Sequence, residues 1–129
     1  MPKGWKARPP NYYYVIFSKS NTQYPIDGGV YPVPAWVGSN VSEGDVLLLH
    51  QELMVPAIGV VISNETSVET SEIDYQFFPL DPPVVWFSQA NLKDTIPELD
   101  TPFSYKRNWI QKINKSSFLK VLKGTSINW

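Results

Sequence analysis

Residues Tyr12-Tyr13-Tyr14-Val15-Ile16-Phe17 form an unbroken run of aromatic and β-branched side chains, with no charged position inside it. Such a run fits a strand buried on both faces, or one that closes a barrel. Whatever else the chain builds, both sides of this strand have to be covered. Further runs of the same character follow. Val46-Leu47-Leu48-Leu49-His50 reads as a second buried strand, and Ala57 to Ile62 as a third. A glycine inside that third run, Gly59, marks a bulge or a close approach of another chain segment. Tyr75 to Leu80 reads as a fourth strand at a sheet edge, because Pro79 has no N–H to give to a ladder. Val84 to Phe87 is a fifth short piece.

Twelve prolines punctuate the 129 residues, which argues against a helical bundle and for many short strands. Ser18 to Pro34 reads as a long loop, carrying Lys19, Tyr24 and Tyr31 and leading to Trp36. Ordered loops of that length in a small domain are usually functional. Val41 to Asp45 is a tight turn in which Gly44 takes positive φ and Asp45 bonds turn amides. Gln51 to Met54 is another turn, and residues 63–74 are polar and acidic. Ser88 is placed to cap a short helix reaching Lys93. Residues 107–113 alternate, with Trp109 and Ile110 on opposite faces. Asn114 or Ser116 then caps a last helix containing Phe118, Leu119, Val121 and Leu122, which Gly124 stops. The expected fold is a small, mostly β barrel of five or six strands with short helices at its rim, an α+β arrangement. The expected organisation is a basic, flexible arm over residues 1–10, one domain over 11–124 and a tail over 125–129.

Composition narrows the chemistry. Aromatic residues reach 14%, with five Trp and seven Tyr, while the net charge is only −1. A broad polycationic surface for bulk DNA is thereby excluded, though a local basic patch is not. The chain has no cysteine and one histidine, His50. Disulfides, thiolate metal sites, a cysteine nucleophile and any mechanism needing two imidazoles are excluded. No Gly-x-Ser-x-Gly elbow and no glycine-rich phosphate loop occurs; Asp27-Gly28-Gly29 is only a turn. No run approaches the ~20 apolar residues of a membrane helix, and the first ten residues lack the apolar stretch of a signal peptide. The expectation is a cytoplasmic protein that is not an enzyme and has no cofactor, no metal and no membrane partner.

Four segments, in order, carry a family resemblance. Tyr13 to Ser20 is similar to an aromatic first strand ending in a Lys/Ser-containing turn. Val41-Ser42-Glu43-Gly44-Asp45-Val46-Leu47-Leu48-Leu49-His50 is similar to a "vkxGDxvxfYHS" turn and strand, and Ala57-Ile58-Gly59-Val60-Val61 to the "ixGxxxV" strand after it. Ser88 to Leu99 resembles "LxxLKxxPEL", and Arg107 to Ile113 with the helix after it resembles "RxSVxPIxxxEFexIL". Together these resemble the EVE family of the PUA-like fold, which also includes ASCH and YTH domains, over most of residues 12–122. Trp36-Val37-Gly38-Ser39-Asn40 is similar to the start of the family's Trp-x-Gly-Val-Arg-Asn stretch, but the Arg is absent and no helix fits between Asn40 and Val41.

The resemblance implies a reader of nucleobases, with a pocket between the first strand, the loop after it and the Gly-Asp strand. The residues it points to are Ser18 and Lys19 at the strand exit, Trp36 as a stacking wall, His50 on the opposite strand, Tyr31 in the loop, and Arg107 against phosphate or base. Each has a plainer role open to it: Trp36 as a plug under the loop, His50 as a satisfied strand-end residue, Lys19 as a solvated lysine, and Arg107 as a partner of Asp94, Glu98 or Asp100. Trp86, Trp109 and Phe118 are assigned to packing. The expected partner is nucleic acid, DNA or RNA, plain or with a modified base. The alternatives are a small heterocyclic or nucleotide ligand, or another protein docking on surface aromatics.

Overall fold

In the computed structural model, which describes residues 9–18, 23–99 and 108–129, the first apolar run is strand β1 (Tyr12–Ile16), every residue of it buried. It is covered on both sides, as its composition requires. One edge pairs in parallel with β3 (Val46–Gln51), Tyr12 opposite Val46 and Ile16 opposite His50. The other pairs antiparallel with β6 (Trp109–Ile113). Beyond β3 come two long strands, β4 (Met54–Thr66) and β5 (Thr70–Val85), and then β2 (Val30–Pro34). The six strands form one sheet in the order β2-β5-β4-β3-β1-β6, curled into a half-barrel.

The alternation within β1 explains why two cores exist. Tyr13, Val15 and Phe17 meet Tyr31, Leu47, Leu49, Ala57, Ile73, Tyr75 and Ile110, so all six strands contribute and this cluster lies inside the curl. Tyr12, Tyr14 and Ile16 point the other way and meet Val46, Leu48, Trp86, Leu92, Phe118, Val121 and Leu122. This outer cluster is roofed by α2 (Gln89–Thr95) and α3 (Lys115–Leu122). The helices therefore cover the outer wall of β1 and β3 instead of sitting at the rim. The Glu98 carboxylate ties this roof together. It accepts the Asn114 N–H at 2.6 Å and the Ser117 hydroxyl at 2.8 Å, at the start of α3. Asn114 takes the N-cap position, but its own side chain makes no capping bond. Partial burial works against the Glu98 charge. The Asn114 amide, its own amide, Ser117 and Lys120 outweigh that and hold its carboxyl below the ordinary value.

One sequence reading is corrected. The segment 18–34 is not all loop, because its last five residues are β2. Tyr31 and Val33 alternate inward there, while Pro32 and Pro34 fall on an end strand, where a missing N–H costs least. The polar residues 63–74 are strand as well, extending β4 and β5 into a long hairpin that turns at residues 67–69. Their exposed polar side chains hide the period-2 signal. The strand expected over residues 75–80 does lie at an edge, because β2 covers β5 only through Asp74. Past that point it pairs only with β4 among the described residues, and Pro79 lies there. Within the tail over residues 125–129, the Trp129 ring packs edge-on against Phe118 and Tyr12.

The smaller expectations hold. Gly44 has φ +88, and the Asp45 carboxylate accepts the Ser42 and Asn11 amides at 2.9 and 3.0 Å. The Ser88 hydroxyl accepts the Asn91 N–H at 3.1 Å and starts α2. Gly59 lies under the Tyr75 ring, where a Cβ would come within 2.8 Å of Cδ2. That ring is held from both ends, since its hydroxyl donates to the Ile26 carbonyl at 2.5 Å. Gly59→Ala is therefore expected to cost about 1–3 kcal/mol by overpacking, read as a lower midpoint in urea. An unchanged midpoint would show that the ring can move.

Candidate functional site at the barrel seam

The curl brings the two end strands, β2 and β6, side by side, and side chains instead of a ladder close the gap. The Tyr31 hydroxyl reaches across to the carbonyls of Ile16 at 2.5 Å and Trp109 at 2.9 Å. Asn108 accepts the Ser18 N–H at 2.9 Å through Oδ1 and donates from Nδ2 to the Pro32 carbonyl at 3.1 Å. The exit of β1, the start of β6 and the middle of β2 are thus pinned at one corner, beside the carboxyl ends of the parallel pair. Burial pushes the Tyr31 hydroxyl well above its ordinary pKa, the bond to Trp109 opposes this, and Tyr75 adds to it. It stays a neutral hydrogen-bond donor.

One helical turn, α1 (Ala35–Gly38), follows β2 directly. Its N–H at Ala35 donates to the Glu69 carbonyl at 3.0 Å. Its far end accepts from Asn64 Nδ2, which bonds the carbonyls of Gly38 and Val41, each at 2.8 Å. Gly38 is required there, because a Cβ would lie 2.4 Å from Val33 Cγ1. This fastening turns Trp36 outward, 71% exposed, with its ring edge-to-face against Trp109 at 5.4 Å and 71°. Two indoles thus meet nearly at a right angle on the seam. A flat heterocycle stacking on one of them meets the edge of the other.

The structure divides the six sequence-predicted residues. Ser18 and Trp36 belong to this corner. Lys19 and Arg107, which follow Ser18 and precede Asn108 in the chain, lie outside the described residues. Tyr31 is at the corner but fully buried, and its hydroxyl holds the seam; it is a strut and not a contact surface. His50 is a correction of a different kind. It lies in the outer core, fully buried, on the face of the sheet opposite Tyr31. Its Nδ1 is 2.5 Å from the Tyr14 hydroxyl, which accepts the Trp86 indole N–H at 2.9 Å. Burial lowers its pKa from 6.5 to about 4, so it is neutral at pH 7. The reason is parity: on β3 it shares a face with Leu48 and Val46, and that face lies under the helices. Two residues escaped the sequence reading. The sequence assigns Trp109 to packing and does not single out Asn108. The Asn-Trp pair at the start of an alternating segment was the available signal.

Tyr31→Phe is expected to lower stability by about 1–3 kcal/mol, because the hydroxyl shared between the Ile16 and Trp109 carbonyls is lost at a buried position. The same variant should weaken the paired-indole circular dichroism signal as the seam loosens. Retention of both would mean that the seam is held elsewhere.

Among the described residues, no group of three His, Asp or Glu side chains is placed to hold a metal ion, and no helix is long and apolar enough to cross a membrane. Compared with models of protein families and with curated proteins, the sequence matches none.

Proposed function

We propose that this chain is a non-catalytic binding domain that reads nucleic acid, holding one base, plain or modified, in the corner between Trp36 and Trp109. The observation that carries the reading is the exposed Trp36 ring set edge-to-face against Trp109. A large apolar ring left 71% open on a pinned turn suits stacking on a base, which needs a rigid aromatic face. The resemblance to the EVE family of the PUA-like fold points the same way. Against catalysis stands the position of the one imidazole, neutral and sealed in the outer core. A general base has to reach its substrate.

A second reading, a free heterocycle without a polymer, draws on one feature. Glu69, in the turn before β5, and Glu72, on β5 opposite Pro32, flank the corner, and carboxylates there disfavour a phosphate chain running in that direction. Tryptophan-fluorescence titration separates the two. The probes are single-stranded oligonucleotides, plain or carrying methylated cytosine or methylated adenine, beside the corresponding free nucleosides. Saturable quenching by oligonucleotides that depends on the base supports the reader. Equal response to nucleosides alone supports the heterocycle site. No response from the folded protein overturns both.

A further inference from the structure

The charge of this chain is unevenly distributed. Residues 108–129 carry Lys112, Lys115, Lys120 and Lys123 and no carboxylate side chain, so the rest of the chain holds −5 of the overall −1. The structure gathers these four lysines at one end. Because β6 runs antiparallel to β1, Trp109 pairs with Ile16 at the seam and Ile113 with Tyr12 at the opposite end. The lysines follow from there onto α3. All four are exposed, and among the described residues none is held in a salt bridge. Glu98 interacts electrostatically with Lys120, but its oxygens are engaged by Asn114 and Ser117.

Two open grooves meet on this face. One, of about 580 Å³, runs between Pro9, Asn11, Tyr12, Lys112, Lys115 and Trp129. The other, of about 620 Å³, runs along α3 past Leu119, Lys120, Lys123 and Ile127 to Trp129. Trp129 lines both. It is fixed by edge-on contacts with Phe118 at 5.4 Å and Tyr12 at 6.3 Å and by an indole N–H bond to the Tyr12 hydroxyl at 3.2 Å, yet it remains 37% exposed. An anchored indole at a junction of two grooves, with two lysines along each, combines a stacking face with a cationic track.

We infer that this face is a second binding surface, a track for a single-stranded nucleic acid whose phosphates meet Lys112, Lys115, Lys120 and Lys123 and one of whose bases stacks on Trp129. A single strand fits better than a duplex, whose bases are unavailable to an indole. The surface stands independently of the Trp36 corner, about four strand residues, or ~13 Å, away along β6.

The test is the salt dependence of binding of a fluorescein-labelled twelve-residue oligothymidine and its oligouridine counterpart, read by anisotropy from 50 to 300 mM salt. Four neutralised phosphates give a slope of log K against log salt of about −3, since a single strand contributes about −0.7 per phosphate. The Lys120→Gln/Lys123→Gln double variant, exposed at both positions, is expected to melt like the parent and to lose about 1.4 from that slope. Trp129→Phe should weaken binding with the slope intact. Trp36→Ala should leave the slope unchanged even if the base corner is lost, which keeps the two readings distinguishable. An unchanged slope in the double variant, or binding absent at 50 mM salt, overturns the track. So does preference for vesicles containing phosphatidylserine over both oligonucleotides.

Discussion

Replacing Trp36 with alanine is expected to weaken binding of an oligonucleotide carrying the preferred base by about 5- to 150-fold, the equivalent of ~1–3 kcal/mol for loss of one base–aromatic stack. The fold should hardly notice. Trp36 buries little of its own surface, and its one ring contact, with Trp109, contributes on the order of 1 kcal/mol. Few substitutions of a tryptophan separate function from stability so cleanly, because most tryptophans are half core. Here α1 is held by its backbone and by Gly38 and Asn64, so the side chain is not needed to place the turn. Trp36→Phe should recover part of the affinity, since a smaller face still stacks. The check is the fluorescence titration together with a urea melt of each variant. Equal affinity in Trp36→Ala and the parent would refute the aromatic corner, whatever the other residues do.

The second large effect is an acid transition centred on His50. The imidazole is fully buried against Tyr14, and its pKa falls to about 4 from an ordinary 6.5. Above pH 6.5 both folded and unfolded chains carry it neutral, and it adds no pH dependence. Between 6.5 and about 4 the unfolded chain takes up a proton that the folded chain refuses. Stability therefore falls with decreasing pH across that window, by up to about 1.4 kcal/mol per unit and about 3 kcal/mol in all. Glu98 acts lower down: its carboxyl is held below the ordinary 4.5, so its contribution is present above that pH and is lost as the pH drops further. Urea melts from pH 7.5 to 4 should show the slope in the parent and a nearly flat line from 6.5 to 5 in His50→Gln. If the two curves run parallel, the imidazole is not the group that titrates.

Much of this architecture is legible in the amino-acid order alone. Tyr12 to Phe17 has no polar position, so β1 had to be interior. Gly44-Asp45, Ser88 and Gly124 are local signals, settled within a few residues by turn geometry or helix capping, and they lie where their chemistry says. Gly59 announced a close approach, though not that Tyr75 would be the residue approaching. The strands missed, β2 and the outer halves of β4 and β5, are those whose exposed faces carry Pro, Glu and Thr. Their strand character comes from neighbours across the sheet and not from their own composition.

The site divides along the same line. The sequence by itself set the expectation that an aromatic-rich, cysteine-free chain with one histidine binds by stacking, and it singled out Ser18 and Trp36. Only the tertiary structure decided which face of the sheet each side chain takes. Strand parity put His50 under the helices and Tyr31 inside the curl, and the closing of the sheet put Trp109, 73 positions further along the chain, against Trp36. The physical reason is that a strand's two faces are equivalent until something covers one of them. What covers β1 and β3 arrives from the far end of the chain.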